Sequence, residues 1–285
     1  MRPASHSDLD AIAAFTTGTF EWGDYVSEAI VAWMADPSGI VMVATDDTDS
    51  AIAVGRCFLL TPQEAWLHAA RVDPAHRGKG IAGDMAVVLT DWASNQGALV
   101  ARLLIEESNT SSIRHIEKTA FRKTTTVHRG SRSLGGSEPH LNGNGGTRRR
   151  SPLLAREGTS VDAQMVTASW TSGEAGRALR GLIAKSWSFH RLRTQDVEAA
   201  ASSGMLWEVG GSWAISREID GAFAILMVDA SPSDADDIVR ALVDTAVDRG
   251  AETFSAWGAD HPWLVAALKA AGCQVEPSGI YELGL

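Results

Sequence analysis

A short basic segment in the first third of the chain has the composition of an anion-binding turn. It lies between an apolar run that ends at Val72 and a helical pattern that continues to Asn95, and it reads Arg77-Gly78-Lys79-Gly80-Ile81-Ala82. Where a strand turns into a helix, successive backbone N–H groups converge on one point, and the helix N-terminus adds roughly half a positive charge. Glycines let an anion approach the backbone closely. The segment predicts a diphosphate-binding turn, and a basic helix start without a ligand is the alternative.

Alternating helices and strands must position this turn. Helices are predicted over residues 8–15, 25–34, 80–95 and 111–118. Strands are predicted over residues 39–44, 51–60, 65–72, 98–105 and 122–128, of which the first two are joined by an acidic turn into a hairpin. Helices that alternate with strands around one antiparallel hairpin predict a mixed α/β sheet fold.

A basic segment rich in Gly, Ser and Asn interrupts this alternation at residues 131–158, and we interpret it as a flexible linker. It separates a first domain, residues 1–130, from a second domain, residues 159–285. In the second domain the order strand, helix, strand, helix partly repeats that of the first, which indicates a weak internal duplication. Residues 170–187 are predicted to be helical.

Composition and charge restrict the classes of function. The 285 residues include 35 acidic and 25 basic side chains, for a formal net charge of −10. Such an acidic protein is a poor nucleic-acid binder and favours a cationic small molecule as its partner. The chain has no run of about 18 apolar residues, so no membrane partner is expected. Cys57 and Cys273 form no disulfide or metal-binding pattern, so we expect no metal and a cytoplasmic location.

At the basic turn the sequence resembles the GNAT superfamily of N-acetyltransferases. Arg77, Gly80 and Ala82 occupy the positions of the acetyl-CoA signature of that family, R/Q-x-x-G-x-G/A. A second likeness, to the N-x-x-A-x-x-x-Y-x-x-x-G-F segment of the family, follows at Asn109, Ser112, Ile113, Glu117, Lys118 and Phe121. The resemblance covers residues 1–130. Residues 159–285 resemble a degenerate copy, because acidic residues stand where the basic turn would recur.

The resemblance implies a fold and a co-substrate. The sheet would be splayed open between the strands that end at Val72 and Glu106, with acetyl-CoA in the splay and its pyrophosphate on residues 77–82. An amine would attack the thioester directly, while the backbone N–H of Val72 stabilises the developing oxyanion. Asn109 would orient the pantetheine arm or the departing sulfur. Ile116 replaces the tyrosine that usually protonates the leaving thiolate, which leaves water as the acid.

The reaction also needs a proton acceptor, since an amine with a pKa above about 8 is mostly protonated at neutral pH. His68 lies four residues before Val72 on the same predicted strand, so both side chains are expected on one face. An ordinary histidine pKa near 6.5 suits the role, and a strand histidine bonded to a neighbour is the alternative. Glu106 or Glu107 is the second candidate, acting through water at the end of the next strand.

In the resemblance, the loop between the first two predicted helices covers the acceptor site. It reads Phe20-Glu21-Trp22-Gly23-Asp24-Tyr25. Acids beside aromatic rings can hold a cationic amine by charge and by cation–π contact. Glu21, Trp22 and Tyr25 are therefore the candidate acceptor residues, with Asp24 beside them. Ordinary loop acids with an anchoring tryptophan are the alternative.

The sequence therefore predicts an acetyl-CoA-dependent N-acetyltransferase that acts on a small amine, such as an amino acid, an amine metabolite or an amine antibiotic. One alternative is a non-catalytic acyl-CoA-binding or regulatory module, which the missing tyrosine at Ile116 supports. Another alternative is a protein N-terminal or lysine acetyltransferase. That activity needs an open peptide groove, so a second domain that closes the cleft would argue against it. The second domain is expected to complete the acceptor cleft or to act as a scaffold, and a homodimer stays open.

Overall fold

The computed structural model describes residues 1–18, 23–135 and 150–285. Within these ranges the chain forms two compact units. Unit 1 contains Met1–Thr124 and Ile280–Leu285, and unit 2 contains Thr125–Gly279. The domain boundary expected from the sequence assigned the last residues, Ile280–Leu285, to the second domain. They belong instead to unit 1, because they add a strand to its sheet.

Helices and strands alternate along both units. The first half of the chain forms β1 (Arg2–Pro3), α1 (Leu9–Thr16), α2 (Val26–Ala35), β2 (Gly39–Thr45), β3 (Ala51–Thr61), β4 (Glu64–Val72), α3 (Ile81–Asn95), β5 (Val100–Glu106), α4 (Thr110–Ile116) and β6 (Arg122–Ser133). The second half forms β7 (Ala155–Glu157), α5 (Ala163–Ser172), α6 (Glu174–Ala178), β8 (Leu182–Lys185), β9 (Ser188–Arg191), α7 (Thr194–Ser202), β10 (Leu206–Val209), β11 (Ser212–Ile219), β12 (Ala222–Val228), α8 (Ala235–Asp248), β13 (Thr253–Ala259), α9 (Pro262–Ala270) and β14 (Gln274–Gly284). The element order predicted for the first half is confirmed.

The sheet of unit 1 has the strand order β1, β2, β3, β4, β5, β14. The strands β2, β3 and β4 are antiparallel, so the predicted hairpin is confirmed. The strands β4 and β5 run parallel, as a crossover through α3 requires. The end of β14 lies beside β5, where the N–H of Leu285 donates to the carbonyl of Leu99.

Two hydrophobic layers cover the two faces of this sheet. Met85, Leu89 and Ala93 recur every four residues along α3 and form its buried stripe. On the opposite side of the sheet, Ile12 of α1 and Ile30 of α2 are fully buried in a second cluster. We call these two sides the α3 face and the α2 face.

A buried ion-pair cluster ties β14 into the sheet of unit 1. The Arg102 side chain is 2% exposed, its Nη1 lies 2.5 Å from Glu64 Oε1, and its Nε lies 2.7 Å from Glu282 Oε2. These three residues lie on the neighbouring strands β4, β5 and β14. A buried guanidinium needs such partners, since an isolated charge is strongly disfavoured in the interior. Tyr281 adds a large ring to the core of the α3 face, so charge and apolar packing both hold this strand.

Unit 2 has the strand order β6, β13, β12, β11, β10, β7. The strands β12 and β13 are parallel and pair only from Ala222↔Thr253 to Ile225↔Ala256. The strand β12 is also antiparallel to β11. The order β11, β12, α8, β13 thus repeats the order β3, β4, α3, β5 of unit 1, as the duplication predicted.

The helix predicted over residues 170–187 is wrong beyond Ala178. The chain there leaves α6 and forms the β8–β9 hairpin instead. Arg180 and Gly181 adopt φ values of 56° and 75°, which a right-handed helix does not accommodate. None of the helices in the described ranges combines the length and the hydropathy needed to cross a lipid bilayer.

Candidate active site

The predicted anion-binding turn lies where β4 ends and the chain enters α3. Asp73 caps its first residues: one carboxylate oxygen accepts from the N–H of Ala75 at 3.0 Å, and the other lies 3.0 Å from His76 Nδ1. Gly78 and Gly80 adopt φ values of 78° and 84°, in the left-handed region. A Cβ built at either glycine would meet no heavy atom within 4 Å. Glycine therefore serves the backbone geometry here and leaves open the space that a ligand needs.

Five successive backbone N–H groups of this turn, those of residues 78–82, find no acceptor in the part of the chain that the structure describes. The first internal bond of α3 runs from the N–H of Gly83 to the carbonyl of Gly80, at 2.8 Å. The side chains of Arg77 and Lys79 are exposed and add positive charge beside the free N–H groups. This arrangement can bind an anion with several oxygens.

The two strands beside the turn, β4 and β5, separate after their first residues. Their pairing ends at Trp66↔Arg102, so the rest of β4 borders a gap. The N–H of Asp73 donates to the carbonyl of Ile52 on β3. By the alternation of an antiparallel pair, the N–H of Val72 then points away from β3 and toward the gap. This is the orientation that the predicted oxyanion donor requires.

A β-bulge in β4 separates His68 from Val72. The register between β3 and β4 shifts in this segment, and Ala69 takes a φ of 59°, an unusual value for a residue with a Cβ. One extra residue inverts the side-chain alternation, so Val72 packs on the α3 face whereas His68 contacts Trp33 of α2. The prediction that His68 and Val72 share a face is therefore wrong.

His68 is enclosed by aromatic and cationic side chains on the α2 face. Its ring meets the rings of Trp33 and Phe58 edge-on, at centroid distances of 4.9 and 5.4 Å. Its Nε2 lies 3.4 Å from Nη1 of Arg56. Burial, with the positive charges of Arg56 and Arg71, lowers the pKa of His68 to about 3. A group with so low a pKa is a poor acceptor for an amine proton.

Arg56 is a buried cation that sequence reasoning did not single out. Its guanidinium carbon lies 5.2 Å from the centroid of the Trp33 ring and 4.7 Å from that of Phe58, and the side chain pairs with Asp36. Burial lowers the pKa of Arg56, although Asp36 opposes the shift. An arginine within an apolar strand carries no local signal of Trp33 and Asp36, because these two partners come from α2 and from the residue that follows it.

Asn109 and Ile116 stand at the two ends of α4. The Oδ1 atom of Asn109 accepts from the N–H of Ser112 at 3.1 Å and from Oγ of Ser111 at 3.0 Å, so it caps the helix. The NH2 group is the part of Asn109 that can turn to a ligand. Ile116 is 4% exposed in the core of the α3 face. The family tyrosine is thus replaced by an apolar packing residue.

Glu106 and Glu107 end β5 in different surroundings. Glu107 pairs with Lys123. The side chain of Glu106 is exposed. Ile105 belongs to the core of the α3 face, so strand alternation places Glu106 on the α2 face, at the end of β5 where the gap opens. Of the two carboxylates, Glu106 is the one that strand alternation places at the gap.

Two of the candidate acceptor residues, Glu21 and Trp22, lie outside the described residues. Both carboxylate oxygens of Asp24 already have partners within the protein. Its Oδ2 accepts from Nε of Arg71 at 2.6 Å, and its Oδ1 accepts from the first N–H of α2 at 3.0 Å. Tyr25 is 39% exposed, and its ring centroid lies 5.7 Å from the Arg71 guanidinium carbon. Tyr25 can therefore contact a ligand, whereas Asp24 fixes Arg71 and caps the start of α2.

The corresponding turn of unit 2, between β12 and α8, is built differently. The carboxylate of Asp234 accepts from the N–H of Ser231 at 2.7 Å and from its Oγ at 2.8 Å. Asp236 and Asp237 follow in the first turn of α8. The Asp234 carboxylate turns back to Ser231 and caps no N–H of α8, and the acidic side chains at this helix start repel a phosphate. Unit 2 is thus degenerate at the position of the basic turn.

The residues of unit 1 fit acetyl-CoA. The turn offers five free N–H groups and open space before Gly78 and Gly80 for a diphosphate. Beside it, Nε2 of His115 is enclosed without a hydrogen-bond partner among the described residues. Within the same residues, no group of three or more His, Cys, Asp or Glu side chains is arranged to hold a metal ion.

Comparisons with known proteins agree with this geometry. Residues 9–121, which include the turn, the gap and α4, match the acetyltransferase (GNAT) family. No curated protein matches the sequence at a significant level. The fold resembles the GCN5-related N-acetyltransferase from Sphaerobacter thermophilus, with a TM-score of 0.66 and 12% identity over 99% of this chain and 94% of that chain.

A tandem GNAT protein from the clavulanic acid biosynthesis pathway also has this fold. Its TM-score is 0.55, at 11% identity over 99% of this chain and 97% of that chain. At identities this low, the structural similarity establishes a shared fold and does not identify the substrate. Residues 9–121 are an acetyltransferase domain of the GNAT family, and the chain is an N-acetyltransferase built on a tandem GNAT fold.

Proposed function

We propose that unit 1 transfers the acetyl group of acetyl-CoA directly to the amine of a small molecule, such as an amino acid, an amine metabolite or an amine antibiotic. The observation that carries this proposal is the run of free N–H groups at residues 78–82, flanked by Arg77 and Lys79 and open to solvent. The net charge of −10 favours a cationic acceptor over an anionic one. The role of unit 2 stays a prediction.

The turn holds the diphosphate in this proposal. The N–H groups of residues 78–82 donate to its oxygens, and the charges of Arg77 and Lys79 strengthen those bonds. The Nε of Arg77 donates to the carbonyl of Val72 at 3.1 Å, so the same side chain links the turn to the end of β4. Asn109 contacts the pantetheine arm through its NH2 group.

Bound acetyl-CoA supplies a thioester whose carbonyl carbon an amine can attack. The N–H of Val72 points into the gap and donates to the carbonyl oxygen as that atom gains negative charge. One well-placed donor of this kind contributes roughly 3 kcal/mol to transition-state stabilisation. Glu106 accepts the amine proton through water. Ile116 has no proton to give, so water protonates the thiolate, which is a tolerable leaving group with an ordinary pKa near 8.5.

The experiment has two parts. Calorimetry with acetyl-CoA tests the binding site, and release of free thiol in the presence of an amine panel tests the reaction. The panel contains free amino acids, polyamines, amine antibiotics and peptides with a free N-terminus or lysine. Turnover with a small amine supports the proposal. Turnover with peptides alone indicates a protein acetyltransferase, and acetyl-CoA binding without turnover on any amine contradicts the catalytic role.

We expect Glu106→Gln to lower kcat by about 100-fold with little change in the KM for acetyl-CoA, because the variant keeps the shape of the side chain and loses the proton acceptor. The matched control is Glu107→Gln, whose carboxylate pairs with Lys123 instead of facing the gap. Steady-state kinetics between pH 6 and 9 measure both variants. Equal effects of the two substitutions would remove Glu106 from the base role.

His68→Gln should change kcat by the same factor at every pH from 6 to 9. The pKa of about 3 keeps the His68 ring neutral over this whole range, so its titration cannot shape the profile. A ratio of wild type to variant that falls as the pH drops through 7 would restore His68 as the base.

The same histidine should make the fold sensitive to acid. Its folded pKa, about 3, lies below the ordinary value of 6.5, so the unfolded chain takes up the proton first as the pH falls. The free energy of unfolding therefore has its full value above pH 6.5 and declines below it. Between pH 7 and 5 the wild type should lose about 2 kcal/mol more unfolding free energy than His68→Gln, as measured by urea titration. Parallel losses in both proteins would show that His68 is not buried in this way.

A further inference from the structure

His115 is a polar residue of α4 that the steps above do not use. It precedes Ile116 and packs its ring against the first turn of α3. A Cβ built on Gly83 would lie 3.4 Å from Cε1 and 3.9 Å from Nε2 of this ring. Gly83 directly follows the free N–H groups of residues 78–82. The imidazole therefore borders the diphosphate turn on its α4 side.

The Nε2 atom of His115 has no hydrogen-bond partner among the described residues and is closed off from solvent. Such atoms are rare in folded proteins, because a buried polar group without a partner is destabilising. The side chain as a whole is only partly buried. Its χ2 torsion is soft, so the ring can turn Nε2 outward without moving the backbone. Nε2 of His115 and the N–H groups of residues 78–82 all lack acceptors among the described residues and lie close together. One bound ligand with several oxygens would provide acceptors for both.

We propose that His115 is a co-substrate-binding residue whose Nε2–H donates to an oxygen of bound coenzyme A at the first turn of α3. This inference rests on the proposed function, since it assigns a residue to the same ligand. Two groups of coenzyme A carry suitable oxygens: the diphosphate and the amides of the pantetheine arm. Both are hydrogen-bond acceptors, and a comparison of coenzyme A with ADP separates them.

The test is calorimetry of coenzyme A binding to the full chain. His115→Phe keeps an aromatic ring against Gly83 and removes the nitrogen, and we expect affinity to fall about five- to tenfold. His115→Gln places an amide N–H near the position of Nε2 and should recover most of that loss. His6→Phe, at an exposed site far along the chain, should bind like the wild type. If ADP weakens in parallel with coenzyme A, the acceptor is the diphosphate, and if only coenzyme A weakens, it is the arm.

Thermal unfolding of the ligand-free protein distinguishes a ligand-binding role of His115 from a structural one, because the two roles shift the melting temperature in opposite directions. His115→Phe removes an unsatisfied buried nitrogen, so its melting temperature should equal or exceed that of the wild type while its affinity falls. Unchanged coenzyme A affinity in His115→Phe overturns the proposal, as does a clear drop in melting temperature, which would mean that Nε2 already has a structural partner such as a buried water. Failure of the wild type to bind coenzyme A would instead overturn the proposed function itself.

Discussion

Gly80→Glu should abolish acetyl-CoA binding. Gly80 lies in the middle of the free N–H groups, and no heavy atom stands within 4 Å of a Cβ built on it, so a new carboxylate would enter the space of the diphosphate. Opposing like charges cost several kcal/mol, which corresponds to a loss of about 100-fold or more in affinity. Calorimetry with acetyl-CoA measures the effect.

The matched control is Gly97→Glu. Gly97 follows the other end of α3 and has a φ of 90°, and a Cβ there also meets nothing within 4 Å. The two variants share the strain of a left-handed backbone with a side chain, and they differ in distance from the turn. Gly97→Glu should therefore bind acetyl-CoA with wild-type affinity. Unchanged affinity in Gly80→Glu would remove the assignment of the turn, whatever the control does.

Arg102→Met should destabilise unit 1 by about 3 kcal/mol, because it leaves the carboxylates of Glu64 and Glu282 without the buried cation between them. Urea unfolding followed by tryptophan fluorescence measures this loss, and the midpoint should fall by roughly 1 M. Trp66 is a suitable reporter, since it is the register partner of Arg102 and is 2% exposed.

Two further variants separate charge from packing. Arg114→Met changes an exposed arginine of α4 and should leave the urea midpoint near that of the wild type. Adding Glu64→Gln and Glu282→Gln to Arg102→Met removes the uncompensated charges and should recover most of the lost stability. A triple variant as unstable as the single one would show that the guanidinium acts through packing alone.

Much of the first half of this chain was predictable because its signals are local. The basic turn is made of consecutive residues. Its glycines at 78 and 80 adopt left-handed conformations, which a residue without a Cβ accommodates readily. The alternation of helices and strands follows from short-range periodicity. The degenerate turn of the second half was predictable for the same reason, since Asp234, Asp236 and Asp237 stand at one helix start.

The candidate catalytic and acceptor residues were harder to assess from the sequence because their chemistry depends on distant neighbours. His68 looks like a base in the sequence, yet rings from α2 and β3 enclose it and lower its pKa to about 3. Asp24 looks like an acceptor acid, yet Arg71 binds it across 47 positions of the chain. The bulge at Ala69 inverts the face of every side chain that follows in β4, and no residue type announces it.

The proposed phosphate site could be located from the sequence, since it is made of adjacent backbone groups whose directions are set by a few neighbouring torsions. Long-range packing had to be seen to learn that Glu107 pairs with Lys123 while Glu106 lies at the gap, that burial lowers the pKa of His68, and that the last strand joins the first unit. Arg102 and Glu282 meet although 180 positions separate them. Such contacts form because burial forces distant charges and rings to satisfy one another, and local patterns carry no record of that choice.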